Sequence, residues 1–98
     1  MQAKRLVTEL EQFVKAHGIK VRYEKGGFRG GWCQLETQDY VVLNRLHPPE
    51  RHVAILAELI RQYDVPVDTL KPNVLKALKS AWDEYASAVD IEPDDSAA

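Results

Sequence analysis

Leu6, Leu10, Phe13 and Val14 recur at the spacing of one helical face between residues 2 and 17, and Gly18 follows as a C-terminal stop. The period then changes. Ile19, Val21 and Tyr23 alternate with Lys20, Arg22 and Glu24, which predicts a strand with one wet face. Gly26, Gly27, Gly30 and Gly31 punctuate the turn after it, a second strand is expected over Trp32 to Thr37, and Gln38-Asp39 reads as the next turn. Tyr40-Val41-Val42-Leu43-Asn44 follows as a third strand, apolar on both faces. Strands this close in sequence predict an antiparallel meander, with the third strand at its edge. Pro48-Pro49-Glu50 opens a second helix, because proline suits a first turn and Glu50 favours the positive end of the dipole. Val53, Leu56, Ile60 and Tyr63 form its apolar stripe, and it should end near Asp64. Pro66 breaks the chain, and Pro72 opens a third helix with Val74, Leu75, Leu78, Trp82 and Tyr85 on one side. The resulting order is α-β-β-β-α-α, an α+β fold in which a three-stranded antiparallel meander packs with helices.

The alternation also sorts the sheet into two faces. Ile19, Val21, Tyr23, Cys33, Leu35, Val41 and Leu43 are expected to face the helices, leaving Arg22, Trp32, Gln34, Tyr40, Val42 and Asn44 on a second, mixed aromatic and polar face. Helices on one side only would leave that second face as a contact surface, whereas a third helix crossing it with Trp82 and Tyr85 would make it core.

Composition narrows the class of protein. The 98 residues allow one domain, placed at residues 1–89, which buries only about 60% of its unfolded-chain surface. From Glu92 the run Glu-Pro-Asp-Asp-Ser-Ala-Ala has nothing to bury, so residues 90–98 read as a disordered acidic tail. A lone Cys33 forms no internal disulfide, the first nine residues carry charges instead of the apolar run of a secretory signal, and no window is apolar enough to span a membrane. These point to the cytoplasm, with no membrane partner.

The net charge of −2 argues against a general nucleic-acid-binding protein, but the charge is unevenly placed. Residues 1–49 hold eight Lys/Arg against five Asp/Glu, and residues 50–98 hold five against ten. Much of the basic excess lies in the glycine-rich hairpin of residues 20–32, where Arg22, Lys25, Phe28, Arg29 and Trp32 would form a basic, aromatic tip able to hold single-stranded nucleic acid by charge and stacking.

Other chemistry finds little support. The glycine loop joins two strands and lacks the helix N-terminus and the Gly-Lys-Ser/Thr spacing of a phosphate loop. His17, His47, His52 and Cys33 do not converge by spacing, so no metal site and no cofactor are expected. Cys33 in mid-strand reads as a small hydrophobe, not a nucleophile.

Over residues 19–63, the order Ile19-Lys20-Val21, a glycine-bearing hairpin, Tyr40-Val41-Val42-Leu43-Asn44, a proline loop, Arg51 and the helix Ala54 to Arg61 resembles the core of the ImmA/IrrE-type zinc metallopeptidases. In that family the next helix carries His-Glu-x-x-His, the histidines binding zinc and the glutamate activating water. Here Glu58 stands at the glutamate position while Ala57 and Arg61 occupy the ligand positions, so the resemblance implies a catalytically inactive relative.

The leading functional expectation is a non-enzymatic interaction module that presents a sheet face or edge strand to a protein partner. Nucleic-acid binding through the hairpin is the alternative, and an inactive metallopeptidase-like protein is the third. The uncharged run Tyr40 to Asn44, placed at a sheet edge, would also support a two-fold strand-paired homodimer.

Overall fold

A computed structural model of the chain describes the backbone of residues 1–90 and the side chains of residues 1–84. Residues 91–98 of the acidic tail expected over 90–98 and the Tyr85 side chain lie outside the described residues, while the backbone of Asp90 ends the third helix. Helix α1 (Ala3–Ala16) is followed by strands β1 (Ile19–Glu24), β2 (Gly31–Leu35) and β3 (Gln38–Asn44), then helices α2 (Pro49–Gln62) and α3 (Pro72–Asp90). This is the expected α+β order.

The local signals account for the element ends. Leu6, Val7, Leu10, Phe13 and Val14 form the buried stripe of α1. Gly18 closes the helix with φ +86°, donating its N–H to the carbonyl of Lys15 at 3.0 Å. Pro49 sits in the first turn of α2, where its missing N–H would have no helical partner anyway.

The sheet departs from the meander. Its strand order is β1-β3-β2, with β3 parallel to β1 and antiparallel to β2. The chain leaves β1, passes the place of the central strand, forms β2 on the far side and returns through β3. Strand β3 is therefore paired on both sides, and the expected dimer through a free β3 edge is overturned. The physical clue was its composition: a strand apolar on both faces and free of charge in its core fits a central position better than an edge.

A second correction concerns register. The hairpin turn is Glu36-Thr37, not Gln38-Asp39, since Leu35 pairs with Gln38. Trp32 consequently pairs with Val41 and packs against the core, whereas Cys33 pairs with Tyr40 on the outer face. Directly paired residues share a face, so Trp32, opposite Val41, and Gln34, opposite Asp39, stand on the helical side, and exposed Cys33 and Leu35 stand on the other.

Helices α1 and α2 pack on β1 and β3, and α3 packs on α2 away from the sheet. Helix α2 is thus wrapped by sheet, α1 and α3 together, and His52 through Ile60 are buried without a break. The expected single stripe on α2 becomes an all-round core, with Leu56 and Leu59 fully buried and each contributing about 1.5–3 kcal/mol. Tyr63, read as part of that stripe, is instead 36% exposed at the helix end. Trp82 is half-buried, and its indole N–H donates to the Ala57 carbonyl at 2.7 Å, tying α3 to α2.

Candidate functional site

Alternation from the buried positions defines the outer sheet face. Lys20, Arg22 and Glu24 of β1, Gln38, Tyr40 and Val42 of β3, and Gly31, Cys33 and Leu35 of β2 share it. Because α3 lies on the far side of α2, no helix among the described residues packs across this face. Tyr40 and Val42 are half-buried in its centre, and Leu35, 57% exposed, stands at its margin.

The face is mixed in charge. Lys20 and Tyr40 are register partners on parallel strands, and the Lys20 ammonium lies 6.0 Å from the Tyr40 ring centroid, at the outer limit of a cation–π contact. Arg22 donates to the Glu24 carboxylate at 3.1 Å, an exposed pair that neutralises part of the strand's basic charge. Beside the β1 edge a shallow surface hollow of about 600 Å³ is lined by Lys15, Lys20, Arg22, Gln38 and Tyr40 among others.

The nine residues expected to form one contact surface are divided by the fold. Arg22, Tyr40 and Val42 do share the outer face. Trp32 and Gln34 lie on the opposite face. Lys25 is exposed in the loop after β1, while Phe28 and Arg29 in the same loop are half-buried. Asn44 is 2% exposed and is structural: its side-chain amide donates to the carbonyls of Gly26 at 2.8 Å and Phe28 at 2.6 Å, and its Oδ1 accepts from the Leu46 N–H at 3.0 Å. One buried amide thus holds the glycine loop over the end of the central strand. Of the residues expected at a basic, aromatic tip, Phe28 and Arg29 are half-buried in the loop while Lys25 is exposed.

Missed by sequence reasoning was the polar group beneath this loop. His52 Nε2 donates to the Asn44 carbonyl at 2.8 Å, which fixes the proton on that nitrogen because a carbonyl only accepts. The His52 ring meets Tyr23 edge-on at 5.6 Å, and the Tyr23 hydroxyl donates to Glu11 at 2.9 Å. Burial, reinforced by the Glu11 bond and charge, pushes the Tyr23 phenol up to about 12. The signal available beforehand was a histidine within the first turn of an apolar helix, where an unpaired ring nitrogen would be costly.

At the other end of α2, the carboxylate of Glu58 is buried and accepts from Arg61 and from Gln62, the latter at 2.7 Å. Burial pushes this carboxyl up, but the bonds from Arg61 and Gln62 outweigh it and hold it below the usual carboxylate range. Ala57, beside it, spends its carbonyl on Trp82. Among the described residues no three His, Cys, Asp or Glu side chains are grouped to hold a metal ion. Comparison with protein-family models, with curated proteins and with solved structures finds no match.

Proposed function

We propose that the protein is a non-enzymatic interaction module that docks a protein partner on the outer sheet face and the adjoining edge of β2, which no other strand pairs among the described residues. The observation that supports this most is the one-sided helical layer, which leaves Tyr40, Val42, Cys33 and Leu35 together on an uncovered face. Strand β2 adds an edge with no charged residue over Gly31 to Leu35, where edges are ordinarily guarded by charge. The opposite edge, β1, has that guard in Lys20, Arg22 and Glu24.

Two further observations weigh on the other readings. Lys20, Arg22 and Tyr40 on one face favour a nucleic-acid contact by stacking and charge, though Glu24 offsets Arg22. The likeness to zinc metallopeptidases would make Glu58 a general base, yet its carboxylate is enclosed by Arg61 and Gln62, which supports a structural role for it.

The immobilised chain should retain a protein from cell extract at high salt as well as low, and Leu35→Lys or Tyr40→Ser should release it without altering the circular dichroism spectrum. Retention that is nuclease-sensitive and collapses as salt rises would support nucleic-acid binding instead, since released counterions make such affinity steeply salt-dependent. Equal retention by parent and both variants would refute the assignment of this surface.

A further inference from the structure

The geometry points to a second copy of this chain as the occupant of the β2 edge, paired antiparallel about a two-fold axis at Cys33. This rests on reading β2 as a docking edge and names its partner.

The pairing parity of β2 supplies the register. The Glu36-Thr37 turn is flanked by Leu35 and Gln38, whose carbonyl and N–H close a β-turn, so Leu35, Cys33 and Gly31 direct their backbone groups toward β3. Trp32 and Gln34 therefore direct theirs to the free edge. A strand of five residues presenting its second and fourth to the edge is self-complementary: Trp32 of one copy meets Gln34 of the other, and both bonding pairs repeat across the axis.

The side chains fit the same register. Cys33 falls opposite Cys33 of the second copy in a pair without mutual hydrogen bonds, where Cα atoms approach to about 4.5 Å, within the range a disulfide spans. Exposed Leu35 falls opposite Gly31, where even an added Cβ would meet nothing within 4 Å, leaving room for the leucine. On the helical face the two Trp32 rings become diagonal neighbours, a separation of about 7–8 Å that aromatic side chains bridge. That face needs cover, because α1 and α2 lie over β1 and β3 while β2 projects beyond them, with Trp32 half-buried and Gln34 exposed. No charge in β2 opposes the pairing, and the product is a continuous sheet of twice three strands with all helices on one side.

Sedimentation equilibrium of the parent, Cys33→Ser and Cys33→Lys over micromolar to high micromolar concentration tests this. Parent and Cys33→Ser should approach twice the 11.1 kDa chain mass, and Cys33→Lys, which sets two ammonium groups face to face, should remain a folded single chain by circular dichroism. Copper(II)-phenanthroline, taking up the two electrons as two thiols join and release their protons, should link the parent chains through Cys33 at a rate unchanged by dilution only within the dimeric range. The crosslink keeps the test decisive even where Cys33→Lys fails to fold. A parent that stays at 11.1 kDa, or a dimer that neither crosslinks at Cys33 nor yields to Cys33→Lys, overturns the proposal. If the parent is monomeric but Leu35→Lys still releases a captured protein, self-pairing fails while the docking edge stands; loss of neither refutes both.

Discussion

Gly30→Ala should be among the most damaging single-atom changes in this protein, and Gly18→Ala supplies its internal control. Both glycines have nearly the same positive φ, +87° and +86°, so alanine at either carries the same left-handed strain of about 1–2 kcal/mol. Their surroundings differ. A Cβ at Gly18 meets nothing within 4 Å, whereas at Gly30 it would lie 2.8 Å from the Val42 carbonyl oxygen and 3.2 Å from Ile55 Cδ1. The oxygen belongs to the central strand, in register with Gly31, so it cannot retreat without opening the ladder between β2 and β3. Overpacking of this kind adds about 1–3 kcal/mol, giving a total of about 2–5 kcal/mol for Gly30→Ala. For a domain with a stability of about 5–15 kcal/mol that is a large fraction, and at a urea dependence of about 1–3 kcal/mol per molar the midpoint should fall by about 1 M or more. Urea unfolding followed by circular dichroism measures it for parent and both variants. A Gly30→Ala midpoint equal to that of Gly18→Ala would show that the loop does not cross β3 as closely as described.

Three other expectations follow from named contacts. Trp82→Phe keeps the ring packing and removes only the bond to the Ala57 carbonyl, so it should cost about 1 kcal/mol in chemical denaturation, and Trp82→Ala should cost more but less than the about 3–5 kcal/mol of a fully buried tryptophan; unchanged midpoints for both would refute the α2–α3 tie. Glu36 occupies the first central position of the β2–β3 turn with φ +57°, so Glu36→Gly should raise the thermal midpoint, with a gain of about 1 kcal/mol, and a lowered midpoint would contradict the strain. Tyr23 ionises at about 12 when folded against 10.0 ordinarily, so the stability it supplies is complete below pH 10 and is lost as pH rises through 12; alkaline unfolding read by circular dichroism should be displaced in Tyr23→Phe, and identical alkaline profiles would refute the link.

The amino-acid sequence by itself determined where the elements lie, because helical and strand periods, glycine stops and proline starts act within a few residues. Leu6 to Val14, Ile19 to Tyr23 and Pro49 onward each declared their element through such local spacing. It also marked Tyr40, Val42 and Arg22 as neighbours on one face, since alternation and the parallel register agree there. Tertiary structure alone decided the order of the strands, because β1 and β3 pair across an intervening strand and no local pattern encodes a partner twenty residues away, the separation of Arg22 and Val42. It decided, too, which side of β2 faces the solvent. The turn lay two residues earlier than the side chains suggested, with a glutamate in the glycine-favouring conformation, and the cross-strand partners, Val41 for Trp32 and Tyr40 for Cys33, set which of the two faces the core. Asn44 shows the same limit at a single residue: alternation with Tyr40 and Val42 placed it on the outer face, and only the glycine loop folding over the strand end, with two carbonyls in need of a donor, made it part of the interior.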